Sequence, residues 1–94
     1  MLPARRERSY LDHARLDHTD LSSANLDGAY LSSSILSRAK LTGAKLIGAD
    51  LTEADLYGTK MNNKTDLRGA RLQGAKYNTQ TMQQKDTQGY IVPT

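Results

Sequence analysis

Apolar positions recur along this chain with a period of five. Ten leucines form an unbroken series: Leu11, Leu16, Leu21, Leu26, Leu31, Leu36, Leu41, Leu46, Leu51 and Leu56. Met61 keeps the phase, one extra residue enters among Asn62, Asn63 and Lys64, and the series resumes at Leu67, Leu72, Tyr77 and Met82. Two places before each centre stands a small residue, from Ser9 and Ala14 through Ala70 and Ala75, and only Gln80 breaks the rule. Two places after the centre, six of the seven glycines fall (Gly28, Gly43, Gly48, Gly58, Gly69 and Gly74).

A step of five suits neither regular element. Along an α-helix each step rotates the side chain by about 140°, and along a flat strand an odd step alternates faces, so both would expose half of the leucines. All of them face one interior only if the chain turns at every pentad, making each pentad one short side of a closed coil. Within a side, positions two apart share a face, so the small residue and the leucine point inward while the residue between them points out. A narrow lumen explains why one of the two inward residues is small, and glycine at the corner suits backbone that a side chain would penalise.

The runs Ala24-Asn25-Leu26-Asp27-Gly28, Ala49-Asp50-Leu51-Thr52-Glu53 and Ala54-Asp55-Leu56-Tyr57-Gly58 resemble the A-(D/N)-L-x-x consensus of pentapeptide repeat proteins. Residues 75–82 resemble the closing segment A-x-Y-(N/D)-x-x-T-x-F-P of bacterial, especially cyanobacterial, members, with Met82-Gln83 in place of Phe-Pro. The resemblance implies an all-β fold, a right-handed quadrilateral β-helix, with four pentads per coil and nearly four coils. The expected organisation is a basic N-terminal segment or cap over residues 1–8, the repeat over 9–84 with a one-residue slip near 62–64, and a tail or cap over 85–94. The slip reads as a bulged corner, because an inserted residue must loop outward if its neighbours are to stay stacked. Stacking every fourth pentad predicts outward columns: Tyr10, Tyr30, Asp50, Arg71; Arg15, Ile35, Asp55, Lys76; Asp20, Lys40, Lys60; and Asn25, Lys45, Asp66.

Composition narrows the function. In 94 residues there is no Cys, Trp or Phe, which excludes disulfides and thiol chemistry. No apolar run approaches a membrane span and the start lacks the apolar stretch of a signal peptide, so a cytoplasmic protein with no membrane contact is expected. His13 and His18 echo one another but fall on successive corners, too far apart for one tetrahedral zinc ion. The serines lack a nucleophile-elbow pattern, the glycines stand singly rather than as a phosphate loop, and Asp50 and Asp55 lie on different sides. No enzyme activity, cofactor, metal or small-molecule substrate is expected.

Thirteen Lys and Arg stand against ten Asp and Glu, a net charge of +3. The charge is banded along the axis rather than gathered on one face: residues 9–28 hold four Asp against Arg15, and residues 29–48 hold Arg38, Lys40 and Lys45 with no acid. The expected role is a non-enzymatic interaction or scaffold module with a protein partner, and a homodimer by coil-end stacking is a further expectation, since open coil ends invite pairing. Its candidate surface comprises Tyr10, Tyr30, Ile35, Ile47 and Tyr57 with Lys40, Lys60 and Lys64. One alternative is nucleic-acid binding through the Arg5-Arg6-Arg8 arm and the exposed tyrosines. Another is DNA mimicry directed at a topoisomerase, as the resemblance to gyrase-protecting members implies. The basic balance opposes that second alternative, because a phosphate-track mimic needs a clearly acidic surface.

Overall fold

The computed structural model describes residues 9–78 together with β1 (Gln84–Lys85) and β2 (Ile91–Val92). The candidate caps at residues 1–8 and 85–94 lie outside the described residues, apart from the two short strands. These pair antiparallel, Gln84 opposite Val92 and Lys85 opposite Ile91.

From residue 10 to residue 76 the chain pairs with itself through parallel bridges of one residue each. The partners are twenty residues apart as far as Lys40–Lys60, and twenty-one apart for Lys45–Asp66, Asp50–Arg71 and Asp55–Lys76. Twenty residues are four pentads, so the coil has four sides, and the bridged residues form the four columns that the repeat predicts. No side grows into a longer strand because the chain turns after each bridge. At every regular corner the carbonyl of the centre accepts from the N–H three residues on, as in Ala14 to Leu11 and Ala44 to Leu41, at 3.0–3.3 Å.

Hydrogen bonds between coils follow one rule. The bridging residue donates downward to the coil before it (Tyr30 N–H to the Ser9 carbonyl, 2.8 Å). The centre and the third turn residue donate upward: Leu31 to Asp50 and Ser33 to Thr52, both at 2.8 Å. Three of every five amides thus bond to a neighbouring coil and a fourth closes the turn. That accounts for nearly all the donors the backbone must satisfy.

The third turn residue lies at positive φ in every regular corner, as a type II turn requires. Six of these residues are Gly, with φ of 69–74°. The other six are His13, His18, Ser23, Ser33, Arg38 and Glu53, at 58–62°. Glycine is therefore favoured at the corner and not obligatory. Each non-glycine there costs about 1 kcal/mol in backbone energy, which the stacking bonds of the same corner offset.

The lumen is solid. Leu31, Leu36, Leu41, Leu46 and Leu51 are fully buried, as are Ala29, Ala39, Ala44, Ala49 and Ala54. The small polar residues among them hide no unsatisfied group: the Ser34 hydroxyl donates to the Leu31 carbonyl at 2.7 Å and the Thr59 hydroxyl to that of Leu56 at 2.9 Å. Leu11, Leu16 and Leu21 in the first coil are only half-buried. Replacing Leu41 by Ala, which empties one side of a fully covered layer, is expected to cost about 3 kcal/mol, and Leu11→Ala about 1 kcal/mol, with urea unfolding as the measurement.

Candidate functional site

The Asp or Asn that often precedes the centre has a local task. Its carboxylate or amide oxygen accepts the N–H of the second turn residue, which no other backbone group reaches. Asn25 accepts from Asp27 at 3.2 Å, Asp50 from Thr52 at 3.1 Å, Asp55 from Tyr57 at 3.0 Å and Asp66 from Arg68 at 3.2 Å. The Thr52 hydroxyl adds a second bond to Asp50, and together the two hold its carboxyl below the ordinary 3.8. Asp20 is lowered in the same way by the Ser22 hydroxyl and N–H. Asp66 is lowered first by the Arg68 guanidinium, which reaches both of its oxygens at 2.8 and 2.9 Å. These outward carboxylates are thus turn caps, a role legible in the sequence only as Asp or Asn immediately before the centre.

The candidate surface residues are spread around the coil. Tyr10 and Tyr30 stand on consecutive rungs of the first side with their rings stacked, centroids 5.1 Å apart and planes 22° apart. Tyr10 is 74% exposed, while Tyr30 is half-buried. Like Tyr30, Ile35 departs from its expected exposure. It is half-buried, because its rung on the second side lies between those of Arg15 and Asp55. Ile47 and Tyr57 are exposed at two different corners, the first after the fourth side and the second after the second. Lys40 and Lys60 are exposed on adjacent rungs of the third side, above Asp20, and Lys64 is exposed at the corner that follows. His13 and His18 sit at separate exposed corners, and His18 meets its neighbour Asp17 with Nδ1–Oδ2 at 3.4 Å. Among the described residues no three His, Asp or Glu come together as a metal cluster.

At the slip, the turn runs over Asn62–Thr65 rather than starting at the centre Met61, and neither Asn63 nor Lys64 has positive φ. The Asn62 backbone carbonyl closes this turn to the Thr65 N–H and takes no bond from the coil below. Its side chain takes one instead: Asn62 Oδ1 accepts the Gly43 N–H at 3.0 Å, where a backbone carbonyl serves at every regular corner, and also the Lys64 N–H at 3.1 Å. The Thr65 hydroxyl accepts from the Asn62 N–H at 3.1 Å and donates to the Leu41 carbonyl at 2.6 Å. After this corner the stacking continues undisturbed.

A family model described as pentapeptide repeats matches the chain in eight copies, over residues 7–38, 24–63 and 34–74. The chain belongs to the pentapeptide repeat family. Among solved structures, this pentapeptide repeat protein is similar to HetL of the cyanobacterium Nostoc sp. PCC 7120, a pentapeptide repeat protein involved in heterocyst differentiation regulation. That likeness has 37% identity and a TM-score of 0.50, and it covers 71% of this chain and 29% of HetL. It is also similar to the pentapeptide repeat protein alr5209 of Nostoc PCC 7120, at 34% identity and a TM-score of 0.46, over 76% of this chain and 66% of that one. The chain therefore spans under a third of HetL and just under two thirds of alr5209. Comparison with the curated proteins finds no match. The family implies a β-helix of the right-handed kind, consistent with the four-column stacking described above.

The slip yields a sharp expectation. Asn62→Ala leaves the Gly43 amide without its acceptor and should cost about 2 kcal/mol in urea unfolding. Asn62→Asp, which keeps the accepting oxygen, should lose less than half as much.

Proposed function

We propose that this pentapeptide repeat protein is a non-enzymatic protein-binding scaffold, built as a right-handed quadrilateral β-helix of nearly four coils. The observation that carries this reading is the filled lumen: Leu and Ala side chains with no exposed surface occupy the interior, so chemistry is confined to the outside. There the side chains stand in columns on a frame braced by coil-to-coil hydrogen bonds. Such a frame presents a pre-organised pattern to a partner and loses little entropy on binding. Exposed Tyr57 and Ile47 are apolar anchors of the kind that interfaces use. The involvement of HetL in heterocyst differentiation regulation supports the reading by analogy, since a regulatory task can be met by binding without turnover.

Nucleic-acid binding is the second reading, and the stacked Tyr10–Tyr30 pair, with Tyr10 exposed, is the observation in its favour. Affinity capture from a native lysate separates the two, with this chain as bait, with and without nuclease. The scaffold reading expects a protein retained in stoichiometric amount after nuclease treatment, and loss of all captured material on nuclease treatment would overturn it.

A further inference from the structure

Stacking changes the distribution of charge. Along the sequence the charges are banded, but the second and third coils separate them across the axis. Residues 36–44 lie against residues 56–65, and together these segments hold Arg38, Lys40, Lys60 and Lys64 with no acid, while Lys45 on the next side is bridged to Asp66. On the other half of the same two coils, residues 26–36 and 46–56 hold Asp27, Asp50, Glu53 and Asp55 with no base. The two groups differ in what they are doing. Asp27, Asp50 and Asp55 each commit an oxygen to a turn amide, those of Ile47, Thr52 and Tyr57. All four of these basic residues are exposed, and none of their side chains makes a hydrogen bond or ion pair among the described residues. Lys40 and Lys60 are even direct neighbours on one ladder, a like-charge pairing that is unfavourable in the free protein.

We propose that the third side of the coil, with its two corners, is the docking surface for an acidic segment of a protein partner. This deepens the scaffold reading and rests on it. Tyr57 lies at the rim of this surface, where its carbonyl accepts the Arg38 amide at 3.0 Å, and supplies an exposed aromatic beside the charges. The patch is bounded. Asp20 lies under Lys40 on the same column, and Asp66 lies over Lys45 with both oxygens held by Arg68. A long phosphate backbone tracking the axis along the third side would run onto Asp20, whereas a short carboxylate-rich peptide fits over Lys40, Lys60 and Lys64. A second copy of this chain fits less well, because Asp27, Asp50 and Asp55 on its acidic half each have one oxygen tied to a turn amide of their own chain.

The test uses the full chain and a fluorescein-labelled peptide of alternating Glu and Ser, with a Gln-for-Glu peptide and a short single-stranded oligonucleotide as comparisons, read by fluorescence anisotropy at low and physiological salt. The triple variant Lys40→Gln, Lys60→Gln, Lys64→Gln should bind the acidic peptide roughly tenfold more weakly. A matched triple on the first two sides, Arg15→Gln, Arg71→Gln, Lys76→Gln, should leave binding within about twofold. Thermal unfolding of both variants checks that the coil is intact. Equal weakening by the two triples, no binding of the acidic peptide, or tighter binding of the oligonucleotide through the same lysines would overturn the proposal. A nuclease-resistant partner in lysate capture that the lysine triple still retains would leave the scaffold standing and remove this surface from it.

Discussion

The structure depends on the width of its lumen. Each side of the coil offers room for one leucine and one small residue, and that allowance forces the chain to turn after five residues. Once the turn is fixed, the rest of the backbone follows: a single bridging residue per side, a tight turn at each corner, and amides aimed alternately at the coil above and the coil below. The corner conformation is dictated so firmly that His, Ser, Arg and Glu adopt it alongside Gly despite their backbone cost. Local preference yields to stacking here, as expected when each repeat is stabilised by its neighbours rather than by itself.

The slip at Asn62 shows how strict that arrangement is. An extra residue at one corner consumes the carbonyl that the coil below would have used, and the chain restores the acceptor with a side-chain oxygen. Asn is suited to this because its amide oxygen reaches two residues along its own backbone while also accepting from another strand. From Lys45 onward the bridges are displaced by one residue and remain regular. The insertion is thus absorbed within a single corner, and the columns above and below it stay aligned.

The four columns were legible in the sequence because a strict period of five leaves little freedom once four sides are granted. The lumen was legible for the same reason, down to Ser34 and Thr59 standing in for alanine. Four sides and the hand came from family resemblance, since periodicity alone specifies only that the chain closes. The caps made by Asp50, Asp55 and Asp66 were not foreseen, because they depend on turn geometry rather than on spacing. Tyr30 and Ile35 are half-buried rather than exposed, because the side chains of neighbouring rungs shield one another in a column. The basic third side was hidden too. Its residues come from two stretches twenty apart, and summing charge along the chain averages them with the acids that the coil places on the opposite half.

Function therefore enters through the outside of a frame whose inside is fully occupied, and the claim beneath everything else is the five-residue hydrogen-bond rule. Amide hydrogen exchange on the second coil tests it directly. The N–H groups of Ser32, Ser37 and Thr42 have no acceptor among the described residues, while those of Leu31, Ser33, Leu36, Arg38 and Leu41 donate to the next coil. Fast exchange at those three positions amid slow neighbours, repeating every five residues, is the predicted result. Protection that alternates residue by residue, or that runs unbroken through 31–43, would contradict the account.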